Sequence, residues 1–212
     1  SSVFAASPHF NVGIDTGLSH GAFRMADHAY STADSIKLDN RVANVTMPLT
    51  LRAGLTLPQY SISPTLTYTH FFGSPRGITV TDIVANEIVK DQVEPDNLLS
   101  LHMRFEYPSH QQTIRWFGTL GPAYLWKTST VTLIQGSTAV KSSLKDTHFG
   151  VHLGIGSSYR INPNIDLTQE ISVYRFRTNS NVKVNTSTGY THKSSLRPSM
   201  LNATIGITYH LS

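Results

Sequence analysis

Apolar and polar residues alternate along most of this chain, in segments of about ten residues or a little more, the period of a β-strand whose successive side chains point to opposite faces. In the first segment Phe10, Val12, Ile14 and Leu18 share one face, and Asn11, Gly13, Asp15, Gly17 and Ser19 the other. A second, over 43 to 56, sets Val45, Met47, Leu49, Leu51, Ala53 and Leu55 against Thr46, Thr50, Arg52 and Gly54. The third, over 60 to 72, alternates Tyr60, Ile62, Pro64, Leu66, Tyr68 and Phe72 with serines and threonines. The fourth alternates Leu99, Leu101, Met103, Phe105 and Tyr107 with Ser100, His102, Arg104 and Glu106. The fifth, over 113 to 126, carries Ile114, Trp116, Leu120, Tyr124 and Trp126 on its apolar face, but Phe117 and Leu125 fall on its polar side. Three more run from 148 to 161, 165 to 173 and 201 to 211. Only Val80 to Lys90 hints at helical spacing.

The eight predicted strands are joined alternately by short and long segments. Turn-forming residues occupy Leu57-Pro58-Gln59, Pro108-Ser109-His110-Gln111 and Ile161-Asn162-Pro163-Asn164. Long segments fall at 25–42, 73–97, 127–147 and 177–198. With both termini on one side, every short turn lies there and every long loop lies opposite, the asymmetry of periplasmic turns and extracellular loops.

Alternation alone also describes a soluble barrel with its apolar face inward. Three features favour lipid outside. Phe10, Tyr60, Tyr107, Tyr159 and Tyr209 gather at the turn end of the apolar face, and Phe72, Tyr124, Trp126 and Phe149 at the loop end, as two interfacial girdles would. The polar face is rich in glycine and charge, and no lysine falls within the strand cores. Composition agrees: 39% of residues are hydrophobic and 14% charged, with no run near the roughly 18 to 20 apolar residues of a membrane helix. The reading is therefore all-β: a transmembrane up-and-down antiparallel barrel in one domain over 1–212, with residues 1–8 as a flexible periplasmic leader. The start, Ser1 to Ala6, has the small residues that end a signal peptide, so a mature or trimmed chain is expected. Cysteine is absent, which excludes disulfides and thiolate metal sites.

The glycine-alternating strands and the ending Thr204-Ile205-Gly206-Ile207-Thr208-Tyr209-His210-Leu211 resemble the eight-stranded outer-membrane barrels of the OmpA, OmpX and opacity-protein type. The resemblance implies that Thr204, Gly206, Tyr209 and Leu211 form the signal read by the barrel-assembly machinery. The chain departs from that pattern by ending Leu211-Ser212 where an aromatic residue is usual.

The polar face carries Asp15, Glu106, Asp166 and Glu170 with Arg52, Arg104, Arg115 and Arg160. Charges in a narrow lumen are costly to desolvate unless paired, so an ion-pair network is expected. The short turns place Glu106 opposite Arg115 and Arg160 opposite Asp166. A network that plugs the barrel is weighed against a gate that re-pairs for small ions. His102, His148 and His152 also face inward, but with a strand between them no metal site is expected. Some small outer-membrane barrels resemble lipid A deacylases or acyltransferases, which need a serine, a histidine and an acid together. His20 and His70 lack such companions, and His192-Lys193-Ser194 has no acid nearby in sequence. Neither an enzyme nor a cofactor is expected.

The net charge of +4 points to an anionic partner, and with no nucleic-acid-binding motif that partner is expected at the membrane. The first two loops are richer in acids: Asp27, Asp34, Asp39, Asp82, Glu87, Asp91, Glu94 and Asp96. The last two carry Lys127, Lys141, Lys145, Arg175, Arg177, Lys183, Lys193 and Arg197 against Asp146. This predicts an acidic side and a basic side of the barrel mouth, the basic one facing lipopolysaccharide phosphates, a host molecule or another envelope protein. The β-branched runs 130–134 and 182–184 predict that the last two loops continue as hairpins above the membrane. The functional expectation is a surface-exposed outer-membrane scaffold or adhesin, then a small ion or solute pore, then a lipid-modifying enzyme.

Overall fold

The computed structural model describes residues 8–30, 35–57, 61–73, 76–82, 87–107, 113–135, 137–185 and 190–211. The leader up to residue 7, Tyr60, Ser212 and the tips of the first two short turns lie outside this set. The elements are β1 (His9–Tyr30), β2 (Ser35–Thr56), β3 (Ile62–Phe72), β4 (Arg76–Asp82), β5 (Glu87–Tyr107), β6 (Ile114–Gln135), β7 (Thr138–Asn162), β8 (Ile165–Phe176), β9 (Asn179–Asn185) and β10 (Tyr190–Leu211). Eight of them close a ring in the order β1-β2-β3-β5-β6-β7-β8-β10, with β10 pairing back onto β1. All pairings are antiparallel. Closure leaves the membrane-level wall without an edge, which is what lets a sheet satisfy its backbone in lipid.

The alternation sorts side chains across this wall. Ile14, Leu51, Leu101, Leu153, Ile155, Ile171 and Ile205 are exposed on the outside. Asn11, Asp15, Ser19, Arg52, Thr65, His102 and Ser172 are buried inside. An apolar surface that encircles the molecule far exceeds the few hundred Å² a soluble monomer tolerates. The wall is a lipid-facing surface. Phe10, Tyr107, Trp116, Tyr159 and Tyr209 rim it at the turn end, and Tyr68, Phe72, Tyr124 and Phe149 rim it at the other.

The long segments are mostly strand. β3 stops at Phe72, opposite Met47, and β8 stops at Phe176, opposite Gly150. Their neighbours run on. β6 continues from Trp126 to Gln135, about 30 Å at roughly 3.4 Å per residue. Above the belt the wall therefore parts into two four-stranded sheets, β9-β10-β1-β2 and β4-β5-β6-β7. This corrects two expectations. The first and second long segments form strands just as the third and fourth do. The helical spacing at Val80 to Lys90 is overruled: β4 pairs with β5 there, Val80 against Val89 and Thr79 against Lys90. The β-branched residues Ile78, Thr79, Val80, Thr81, Ile88 and Val89 lose rotamer freedom in a helix and pack well in a pleat. On β5 the ladder slips between Pro95 and Asn97, where proline has no N–H to donate. Asp96 is the extra residue, and its carboxylate accepts a hydrogen bond from Thr128 Oγ1 at 2.7 Å.

The β1–β10 seam closes over glycines. A Cβ at Gly17 would lie 2.0 Å from the Ala203 carbonyl oxygen, whereas one at Gly118 would meet only the Gly154 carbonyl oxygen, at 3.8 Å. Gly17→Ala is therefore expected to cost about 1–3 kcal/mol through forced backbone shifts. Gly118→Ala should stay within about 0.5 kcal/mol, as ordinary surface changes do. Urea titration of the barrel refolded into vesicles checks both.

Candidate functional site

The inward column of β8 displays the lumen from the turn end upward: Asp166, Thr168, Glu170, Ser172, Tyr174, Phe176. Charge fills the lower part and aromatic rings the upper.

At the turn end Asp166 collects several cations. Arg115 Nη2 donates to its Oδ2, His210 Nε2 lies 2.7 Å from the same oxygen, and Arg160 Nε lies 3.5 Å from Oδ1. Glu106 links Arg115 at 3.2 Å to Arg104 at 3.1 Å. Arg104 in turn donates to Ser158 Oγ and lies over the Phe117 ring, 3.7 Å from its centroid. That stacking explains why Phe117 turns inward against the apolar pattern of its strand.

Higher up, Asp15 and Arg52 form a nearly solvent-free pair at 2.5 Å. Glu170 accepts from Thr119 Oγ1 at 3.0 Å and lies 3.2 Å from His152 Nε2. The His152 ring stacks on Tyr174, and the His102 ring meets it edge-on with centroids 4.7 Å apart. Above these, Phe71, Leu98, Ala123, Leu125, Tyr174, Phe176 and Met200 form a buried apolar layer. Among the described residues an ionic mesh occupies the lower lumen and an apolar layer the upper, as expected for a barrel of this size.

All eight predicted lumen charges take part, with two corrections. Glu106 does not face Arg115 across the ladder: it sits opposite Phe117. The turn between β5 and β6 is longer than the spacing implied, which moves Arg115 two residues toward the turn end. The long side chains still meet diagonally. Arg160 does face Asp166, but its side chain is 43% exposed at the lumen's lower mouth. His210 and Ser158 were not singled out from sequence. His210 shares the inward parity of Thr208 and Gly206 on β10, so parity alone could have placed it. The apolar layer was also missed, because Leu98, Tyr174, Phe176 and Met200 lie just outside the predicted strands.

The basic residues scatter more than their order along the chain suggests. Lys127 is not a surface charge. It has the parity of the buried Leu125, points into the barrel mouth and is 3% exposed, with its ammonium 3.7 Å from Asp146 and donating to Ser129 Oγ at 2.8 Å. Asp146 also lies 3.2 Å from His148 Nε2. Lys141 and Lys145 are exposed on β7, and Arg175, Arg177 and Arg197 are exposed on the outer wall. The side chains of Lys183 and Lys193 lie outside the described residues. Most side chains behind the expected acidic side of the mouth, among them Asp27, Asp34, Asp39, Asp82, Glu87 and Asp91, lie outside the described residues. Strand pairing joins the first hairpin to the fourth and the second to the third. Thr204, Gly206, Tyr209 and Leu211 lie on β10, the first two lining the inside and the last two exposed outside. Among the described residues no cluster of three or more His or acid side chains is placed to hold a metal ion.

No family model and no curated protein matches the chain. Solved structures do. The outer membrane protein OprG of Pseudomonas aeruginosa is similar over 95% of this chain and 95% of its own, with TM-score 0.61 and 11% identity. A major outer membrane protein of Thermus thermophilus covers 97% of this chain and 100% of its own, with TM-score 0.56 and 12% identity. Identities this low establish a shared architecture, and with the apolar outer wall and the closed ring of strands they make this chain an eight-stranded outer-membrane-type β-barrel.

Proposed function

We propose that this barrel is a non-enzymatic membrane anchor in a bacterial outer membrane, presenting its two projecting sheets at the cell surface to lipopolysaccharide, host or envelope partners. The observation that carries the reading is the contrast between a lumen crossed by paired charges and a buried apolar layer and a wall whose strands continue well beyond the lipid belt. Material cannot pass a mesh of paired charges capped by Leu98, Leu125, Phe176 and Met200 without its rearrangement. The long hairpins are the surface left to meet a partner. The lipid-facing His70 supports a non-enzymatic role: its Nδ1 lies 2.9 Å from the Asn97 side-chain oxygen, which also accepts from Tyr68 OH at 2.7 Å. That is a structural hydrogen bond at the girdle, and among the described residues no carboxylate bonds to the ring.

Two measurements test the proposal. In a planar bilayer, protein shown independently to be inserted is expected to stay silent. Steady, reproducible openings would instead favour a small-solute pore gated by the Glu106, Arg115 and Asp166 network. Orientation is read separately. Because the chain has no cysteine, Lys141→Cys offers one exposed thiol on the third hairpin. A maleimide on a polymer too large to cross the outer membrane is expected to label it on intact cells. Labelling that required permeabilised cells would reverse the orientation.

A further inference from the structure

The outer wall carries one cluster that would give the proposed lipopolysaccharide contact a definite site. At the hairpin-side margin of the apolar belt, Arg175, Arg177 and Arg197 line a groove of about 460 Å³ together with Phe149 and Val151. All five side chains are exposed and point away from the lumen, whereas the adjacent Gly150 and Phe176 are buried within it. The pairing of strands brings them together. Arg175 lies opposite Val151 of β7 and Ser199 of β10, two residues from Arg197. Beyond Phe176 the ladder with β7 ends, and the segment stays tied to it by the Arg177 amide donating to the Phe149 carbonyl oxygen at 2.9 Å and Asn179 Nδ2 donating to the Thr147 carbonyl oxygen at 2.6 Å. The next outward rung toward the membrane centre is Leu153, Val173 and Leu201, all exposed. Among the described residues no carboxylate lines the groove.

Three guanidinium groups in a groove whose described lining holds no acid, immediately above a lipid-facing wall, form an anion site continuous with a hydrocarbon surface. Guanidinium forks match phosphate oxygens in pairs, and three of them suit a headgroup carrying more than one phosphate. The apolar wall below suits acyl chains and offers nothing to a soluble anion. We propose that this groove binds a phosphorylated glycolipid of the lipid A class. Its phosphates would be held by Arg175, Arg177 and Arg197, and its chains laid along Phe149, Val151, Val173 and Leu201. The inference rests on the proposed outer-membrane role with the hairpins outward, since lipid A lies in the outer leaflet and the groove lies on the hairpin side of the belt.

The test is native mass spectrometry of the full chain, refolded in neutral detergent and titrated with lipid A. This reads binding whatever the orientation in cells, so a failed surface-labelling experiment leaves it interpretable. Wild type is expected to retain one lipid A. The triple variant Arg175→Gln, Arg177→Gln, Arg197→Gln should bind about a hundredfold more weakly, with each cationic contact worth roughly fivefold near a lipid surface. Arg→Lys at the three positions keeps the charge but loses the fork, and should fall between. Lys90→Gln with Lys141→Gln, both exposed and outside the groove, should bind as wild type. Folding of each variant is checked by heat-modified gel mobility, and single Arg→Gln variants replace the triple if it fails to fold. Equal binding by the glutamine variants would overturn the proposal. Competition by phosphatidylglycerol at equal concentration would reassign the groove to any anionic lipid, and competition by inorganic phosphate would reassign it to a free anion; either overturns the assignment to lipid A.

Discussion

Asp15→Ala is expected to lower the stability of the inserted barrel by about 3–5 kcal/mol, the usual cost of leaving a buried charge without its partner. The Arg52 guanidinium lies 2.5 Å from Asp15, with side-chain exposures of 5% and 3%. Removing the carboxylate leaves the cation in a space it cannot exit. The Thr50 hydroxyl on the same strand as Arg52 and the Thr69 hydroxyl on β3 already hydrogen-bond to each other at 2.8 Å. The double variant Asp15→Ala, Arg52→Met should regain most of the loss, since replacing a buried ion pair by apolar groups is often neutral. Urea unfolding in vesicles measures this, with the two tryptophans of the chain as the fluorescent reporters. A single variant within about 1 kcal/mol of wild type would mean that Arg52 remains hydrated, and that the lumen is wetter than its packing implies.

Ile155→Arg should cost about 2–4 kcal/mol, the depth-dependent penalty of a cation at the midplane of a lipid-facing barrel wall. Ile155 is 69% exposed and lies midway along β7 between the girdle residues Phe149 and Tyr159. Ile161→Arg, beyond Tyr159 at the turn end and 55% exposed, should cost only about 0–1 kcal/mol, because there the guanidinium reaches water. The difference between two exposed isoleucines at different depths is the diagnostic quantity. On a water-facing wall both changes would stay within about 0.5 kcal/mol, and that outcome would sink the membrane assignment.

Most of the barrel was legible because a strand writes its two faces directly into the sequence. Asn11, Asp15 and Ser19 against Phe10, Ile14 and Leu18 already separate lumen from lipid on β1. The inward position of Lys127 was equally readable from its parity with Leu125, once the strand is known to continue through it. What hid it was the assumption that β6 ended at Trp126. The same assumption concealed Tyr174, Phe176 and Leu98, and with them the apolar layer closing the top of the lumen. A membrane strand of ordinary length needs about nine to eleven residues, so extensions beyond the belt read as loop until their partners are known.

Other features depend on pairing between segments distant in the chain. A rung that leaves β1 at Gly13 passes Arg52, Thr67, Ser100, Ala123 and Gly150 to Phe176. One rung below, Arg175 pairs with Ser199, and the path returns to β1 near Phe23, opposite Pro198. This stagger, set by ring closure and turn length, decides that Glu106 meets Arg115 diagonally and that His152 reaches Glu170. It also gathers Arg175, Arg177 and Arg197 into one groove and leaves Lys141 apart. The sequence by itself determined the strands, their two faces and the alternation of short and long connections, because the pleat imposes period two on each segment independently. Only the tertiary structure decided which columns touch, how the hairpins divide into two sheets and where the cations converge, because register around a closed sheet is a property of all its strands at once.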